Sequence, residues 1–600
     1  MSDGRRQRRG PTVHPRYSVV KLKIIKELLM DTRLIRYSCE GLAYAACELS
    51  SYLDKIYGGE HPIELGDAIA GCAYLSVNSS LSMLDGYDHS LVRYEDGILR
   101  IEGDSELSLL FGVYDYLQLL GCRFWAARRE YVPCGSEVLF ADGYSRSFHS
   151  AFKYRTWVNR TNDSDVLSFL TKSRVNVVLG CGPWNPDFSS VHASLENADK
   201  VKSLGLKLRG PGHAWRELIP DEELFAEHPE YFPLFDGERK PNKRTACFSN
   251  PKVRAIFREN FGKYLDAHPY WDIFAFWPED TLDHVYCSCP ECAKMATQDW
   301  YLKLANECAE LFFKRFPDKV FEIIGYNVTE TPPSEGETFF NDGKNFLVNL
   351  CLGRTRDITV ALDGEDGAVE ANRKFLAKYN AWMDFLKGAR YQGDVMVMDY
   401  YNTCAPNGQS VPCKAYRWDC ETIRKDFLFY KAKGVAGLGA FSGFDMLAWP
   451  VPDYFWTYLK MQNNPSIASV AWNNEFHGGY WHDSEFGCEY RQIIRQLDEL
   501  LHSDMPGNFD EIDEALARIK ATKPRDIETS NLLATFIKYC KLLCRVYVAY
   551  KSGDIESASQ GNEELNGFFA EHASILSSHI APYPPLWIND WLGRLKRWGY

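Results

Sequence analysis

Between about residue 150 and residue 445 the chain alternates short apolar runs with longer helical stretches. The runs are Tyr154–Val158, Val175–Leu179, Leu206–Leu208, Ile273–Trp277, Phe321–Tyr326, Phe346–Leu350, Val395–Asp399 and Val435–Phe441. That alternation is the pattern of parallel strands joined by crossover helices, an α/β fold. Eight such units match a closed (β/α)8 TIM barrel. A doubly wound open sheet is the alternative. It lacks support, because no glycine-rich phosphate loop of Rossmann or P-loop type is present. A barrel is expected.

Six hundred residues exceed one ordinary core, so flanking domains are expected. Residues 1–16 form a polar tail around Arg5-Arg-Gln-Arg-Arg9 and read as disordered. Residues 17–145 read as a small accessory α/β domain. In it, Glu40–Gly58 and Glu106–Gly121 carry apolar residues at helical spacing, and Ala70–Val77 and Ile98–Gly103 read as strands. The barrel occupies 146–450, and 451–600 reads as a helical C-terminal region, with helices over Phe486–Leu501, Asp510–Ala521 and Thr529–Tyr550. A net charge of −13 argues against nucleic acid or an anionic membrane as partner. Neither a secretory h-region nor a membrane-length apolar run is visible, so a cytoplasmic location is expected. Of the 18 cysteines, Cys47, Cys72, Cys122, Cys181, Cys351, Cys540 and Cys544 sit singly in apolar segments, as reduced buried thiols do.

In a barrel of this kind chemistry gathers where the strands end. The fourth run is the most pointed, since Phe274-Ala-Phe-Trp-Pro-Glu-Asp280 delivers two adjacent carboxylates. The second run leads to Trp184, the third to His213 and Trp215, and the fifth to Tyr326 and Asn327. The sixth leads to Arg354, the seventh to Asp399, Tyr400 and Tyr401, and the eighth to Asp445. Cleaving a glycosidic bond takes one carboxylic acid to protonate the leaving oxygen and usually a second carboxylate as nucleophile or base. Asp280 or Glu279, with Asp399, supply such a pair. Trp184, Trp215 and Trp277 are candidate stacking platforms, and His213, Tyr326, Asn327, Arg354, Tyr400, Tyr401 and Asp445 candidate substrate contacts. A blander reading makes the carboxylates loop caps, His213 a packing histidine and the tryptophans core.

Directly after the carboxylates comes Cys287-Ser-Cys-Pro-Glu-Cys292. Three thiolates so close can hold a structural Zn²⁺ if a fourth ligand arrives, with His284 or Cys308 the nearest. A disulfide or free thiols are the alternatives. Three soft ligands close a site rather than open it, so no cofactor is expected for catalysis.

Two sets of motifs carry a resemblance. Cys47-Glu-Leu-Ser-Ser-Tyr-Leu-Asp-Lys-Ile-Tyr-Gly58 and the stretch Ile101–Trp125 resemble the accessory domain that precedes the barrel in α-glucuronidases and β-N-acetylhexosaminidases. His228-Pro-Glu-Tyr-Phe-Pro-Leu-Phe-Asp-Gly-Glu-Arg239, Trp277-Pro-Glu-Asp280 with its cysteines, and Met398-Asp-Tyr-Tyr-Asn402 resemble the bacterial domain-of-unknown-function family 4838. The resemblance implies a glycoside-hydrolase-like protein acting on an oligosaccharide or glycoside. In hexosaminidases an Asp-Glu pair follows the fourth strand. Here the order is Glu279-Asp280, a departure from the substrate-assisted pattern, and the α-glucuronidase catalytic motifs are not recognisable. Hydrolysis of an O-glycosidic bond by two carboxylates is therefore the expected activity. A non-catalytic carbohydrate-binding protein on the same scaffold and a zinc-dependent hydrolase are the alternatives.

Overall fold

The computed structural model describes residues 34–572 except 137, 139, 159–162, 181–194, 243, 281–285, 354–355, 358–359, 363–368, 400, 402–419, 441–451, 482–485, 488, 494–495, 497–508 and 523–526. Two compact units are present. One is built from residues up to Met83 with His89–Cys122 and Val132–Phe148, the other from Leu84–Asp88, Arg123–Tyr131 and the chain from His149 on.

The first unit is organised by a six-stranded sheet in the order Ile63–Leu65, Leu34–Tyr37, Cys72–Val77, Ile98–Gly103, Tyr87–Glu95, Tyr144–Ser150. The first four strands are parallel, and Tyr87–Glu95 runs antiparallel to Ile98–Gly103. Helices Ala43–Tyr57 and Glu106–Leu119 belong to this unit. The second helix is capped by the Ser105 side chain, which accepts from Ser108 N–H.

In the second unit eight parallel strands close on themselves. We label them β1 (Tyr154–Val158), β2 (Val177–Leu179), β3 (Lys207–His213), β4 (Ile273–Trp277), β5 (Val320–Gly325), β6 (Phe346–Leu350), β7 (Asp394–Asp399) and β8 (Gly437–Ala440). Each pairs with the next, and β8 pairs with β1. The expected TIM barrel is the fold. Strand β3 runs on through Gly210-Pro211-Gly212 to His213, beyond the end that a Gly-Pro-Gly triplet suggests. Close packing explains the glycine: a Cβ on Gly210 would lie 2.5 Å from the Trp271 ring.

Side chains alternate along the strands. Phe274 and Phe276 of β4, Phe321 and Ile323 of β5, and Val395 and Val397 of β7 join the large apolar layer between strands and helices. The opposite positions fill the barrel in two apolar tiers. Tyr154, Val177, Ile273, Leu347, Met396 and Ala436 make one tier. Leu179, Ala275, Trp277, Ile324, Cys351 and Met398 make the other. A polar knot also lies inside: Arg209 Nε and Nη2 donate to the two Glu322 oxygens at 2.5 Å each. Trp277 Nε1 at 2.9 Å and Asn349 Nδ2 at 3.0 Å also donate to Glu322. Four donors on one sealed carboxylate offset the cost of burying it.

Helices Pro452–Asn463, Ser469–Tyr480, Asp510–Thr522, Ile527–Lys551 and Ile555–Glu571 follow the barrel. Several of their apolar residues, among them Phe476, Leu533, Ile537 and Phe568, belong to the same core layer as the outer faces of the strands. No described helix is long and apolar enough to cross a membrane. Of the singly placed cysteines, Cys72, Cys122, Cys351 and Cys544 are buried, whereas Cys47 is exposed.

Candidate active site

The C-terminal ends of β3, β4 and β5 bring His213, Glu279, Asp280, Tyr326 and Asn327 to one sector of the barrel mouth. Strand β4 stops at Trp277 because Pro278 has no N–H to continue the ladder. The chain then turns, and the two adjacent carboxylates part. Glu279 is 5% exposed. It accepts from the Arg216 backbone N–H at 3.0 Å and from the Arg216 guanidinium at 3.2 Å. Burial pushes the Glu279 carboxyl above its ordinary range, and the Arg216 contacts only partly oppose that. Asp280 is exposed and takes a bond from Asn327 Nδ2 at 3.3 Å. The burial that a proton donor requires thus falls to Glu279 and not to Asp280.

His213 completes the sector. Its Nδ1 is bonded to the Pro278 carbonyl, which only accepts, so the proton sits on Nδ1 and Nε2 is left for another partner. The imidazole meets Trp277 edge-on at 5.2 Å and Tyr326 at 6.2 Å. Tyr326 and Asn327 are half-buried, and with Asp280 they give this sector its solvent-facing surface.

Other candidates land elsewhere. Asp399 has the parity of Val395 and Val397, so it points away from the barrel interior into the helix layer. There it is 2% exposed, paired with Arg356 at 2.9 Å and bonded by the Tyr430 hydroxyl at 3.2 Å. Arg356 also pairs with Asp426, which accepts from the Tyr401 hydroxyl at 3.0 Å and from Leu362 N–H at 2.8 Å. Asp426 and Tyr430 lie on helix Cys420–Ala432, outside the barrel wall. Asp399 and Tyr401, read from the sequence as catalytic partner and substrate contact, are therefore parts of a buried ionic cluster. Gly353 fits this cluster for want of a side chain, since a Cβ there would meet Asp399 Oδ1 at 2.1 Å.

Trp215 is 2% exposed and packed among Phe248, Phe257, Phe276 and Tyr301, so it is core and not a platform. Trp277, 6% exposed, fills the barrel beneath the mouth instead of offering an open face. Trp184, Arg354, Tyr400, Asp445 and His284 lie outside the described residues. Cys287, Cys289 and Cys292 do converge, and the fourth sulfur beside them is that of Cys247. Cys308 instead belongs to the apolar core.

Sequence reasoning missed Arg216 and Cys247. Arg216 directly follows Trp215 past the third strand, where a lone arginine beside an aromatic gives little signal. Cys247 sits in Thr245-Ala-Cys-Phe-Ser-Asn-Pro251, whose visible message is the Asn-Pro start of helix Pro251–Ala267.

Solved structures similar to this chain share its fold. A family GH115 4-O-methyl-α-glucuronidase with specificity for decorated arabinogalactans is 9% identical, with 91% of this chain and 77% of that one covered and a TM-score of 0.59. A GH138 enzyme targeting pectin rhamnogalacturonan II is 8% identical, with 91% and 74% covered and a TM-score of 0.51. A family 89 enzyme from Clostridium perfringens, in complex with GlcNAc-α-1,4-galactose, is 11% identical, with 89% and 66% covered and a TM-score of 0.51. At these identities the likeness is one of fold. Among curated proteins none matches the chain. A family model described as a domain of unknown function, DUF4838, matches residues 124–485, and the chain belongs to that family.

Proposed function

We propose that this protein hydrolyses an O-glycosidic bond at the barrel mouth, with Glu279 as the acid that protonates the leaving oxygen. The observation that carries this reading is the environment of Glu279. It is a buried carboxyl at the C-terminal end of β4, held by Arg216, with its proton affinity raised by burial. A carboxyl so placed stays protonated at a higher pH than an exposed one, as a general acid must. His213 Nε2, Tyr326 and Asn327, in the same sector of the mouth, supply hydrogen-bonding groups for sugar hydroxyls. Asp280, solvent-facing and held by Asn327, is the second carboxylate of this sector. The fold shared with enzymes that act on glucuronic acid, pectin and N-acetylglucosamine linkages suggests uronic acids and N-acetylhexosamines as the first sugars to try.

A second reading is favoured by one observation. The seventh-strand carboxylate Asp399 is turned into the helix layer, and a rim that lacks it suits sugar binding without cleavage. A glycan-library screen of the purified protein separates the two. Glycosidase action predicts release of new reducing ends from at least one glycan. Retention of glycans with no product over prolonged incubation would replace hydrolysis by binding. Neither retention nor product on any glycan would reject both.

A further inference from the structure

Four sulfurs meet where two barrel loops cross. Cys247 comes from the loop between β3 and helix Pro251–Ala267, and Cys287, Cys289 and Cys292 come from the loop after β4. All four side chains are between 3% and 6% exposed, and their Sγ atoms lie within 4.8 Å of one another. Cys247 Sγ is 3.6 Å from Cys289 Sγ and 3.9 Å from Cys292 Sγ. Those separations exceed the roughly 2.05 Å of a disulfide bond. They match a tetrahedron of thiolates around zinc, where bonds of about 2.3 Å put sulfurs about 3.8 Å apart.

The surroundings suit thiolates. Backbone N–H groups point at three of the sulfurs: Leu234 at Cys287, 3.2 Å; Ser249 at Cys292, 3.4 Å; and Cys292 at Cys289, 3.4 Å. The Ser249 hydroxyl lies 3.1 Å from Cys292 Sγ. The Arg239 guanidinium lies against Cys247 and Cys289, a cation beside what would be a doubly negative centre. Four buried polarizable groups with donors aimed at them make a closed site with no position left for water or substrate.

We propose that Cys247, Cys289, Cys292 and Cys287 bind one Zn²⁺ as a structural tetrathiolate centre that staples the β3 loop to the β4 loop. Binding exchanges four S–H protons for four Zn–S bonds, with no change of oxidation state. The staple spans the same two loops as the Arg216–Glu279 contact, so it fixes the frame on which that contact is made. The metal itself takes no part in hydrolysis.

The test is metal analysis of the full-length protein purified under reducing conditions without chelator, a readout independent of any glycosidase activity. One zinc per chain is expected. Replacement by Co²⁺ should give sulfur-to-metal charge-transfer bands and tetrahedral ligand-field bands. Cys247→Ser should lose the metal or shift those bands, whereas Cys134→Ser, at an exposed cysteine, should change neither. Chelation of the wild-type protein should speed amide exchange in both loops, a response that separates a staple from an adventitious surface ion. Because Cys247→Ser can fail to fold, the wild-type result decides. Absence of stoichiometric metal after reduction and reloading with Zn²⁺, stoichiometric iron in its place, or two disulfides among the four cysteines would each overturn the assignment. An unchanged Co²⁺ spectrum in folded Cys247→Ser protein would overturn it as well.

Discussion

Two residues side by side in sequence, Glu279 and Asp280, stand in opposite environments, the first buried and the second exposed. Glu279 is buried, and its carboxyl holds its proton more tightly for that reason. Arg216 opposes the shift, so its effect on a pH profile has a definite sign. Arg216→Met should raise the Glu279 pKa further and move the alkaline limb of kcat/KM to higher pH, as a pH series on any cleaved substrate would read. An unmoved limb would mean that a different group is the acid. Asp399 presents the opposite case. Arg356 and Tyr430 are among its partners in a buried cluster, so Asp399→Asn should act on stability. Breaking a buried ion pair costs roughly 3–5 kcal/mol, readable as a lower denaturant midpoint. The folded fraction should keep its catalytic rate. An Asp399→Asn protein of normal stability with abolished activity would return Asp399 to the reacting centre.

At the scale of elements, all eight barrel strands were legible in the sequence. Seven are short apolar runs that stand out between helical stretches, and the third, Lys207–His213, showed only its first residues as such a run. Other features were not legible. The end of β3 was hidden because Gly210-Pro211-Gly212 reads as a turn, and only contact with Trp271 shows why a glycine strand persists there. Gly210→Ala should therefore force the Trp271 ring to shift and cost about 1–3 kcal/mol, as overpacking does. A thermal melt indistinguishable from wild type would contradict that packing argument. The direction of Asp399 was hidden because parity is counted from strand register, which a run of residues does not announce. The partnership of Cys247 with the later cysteines was hidden because it joins two loops through space. The strand Leu34–Tyr37 and the helix Ile555–Glu571 also went unread; the strand is short, and the helix carries few apolar residues along much of its length.

For the whole molecule, closing eight parallel strands makes one mouth, and the carboxylates at the end of β4 are placed there by topology alone. What the sequence could not convey was which side chains at that mouth face inward and which are taken up by the helix layer. The tryptophans illustrate this: Trp215 and Trp277 have the composition of a sugar platform and the positions of core residues. If Glu279 is the proton donor, three proteins compared on two substrates will show it. Wild type, Glu279→Gln and Asp280→Asn are assayed across pH on a substrate identified by the glycan screen and on an activated aryl glycoside of the same sugar. Loss of a general acid typically costs about 10²–10⁴-fold. Glu279→Gln should lose that much on the natural linkage, and much less on the aryl glycoside, whose leaving group needs little protonation. The wild-type alkaline limb should lie above the ordinary carboxylate range, because the acid form is active and burial raises the pKa at which it is lost, and it should vanish in Glu279→Gln. Asp280→Asn should keep that limb. Small and equal losses from both substitutions on the natural linkage, with the limb unchanged in each, would contradict the account.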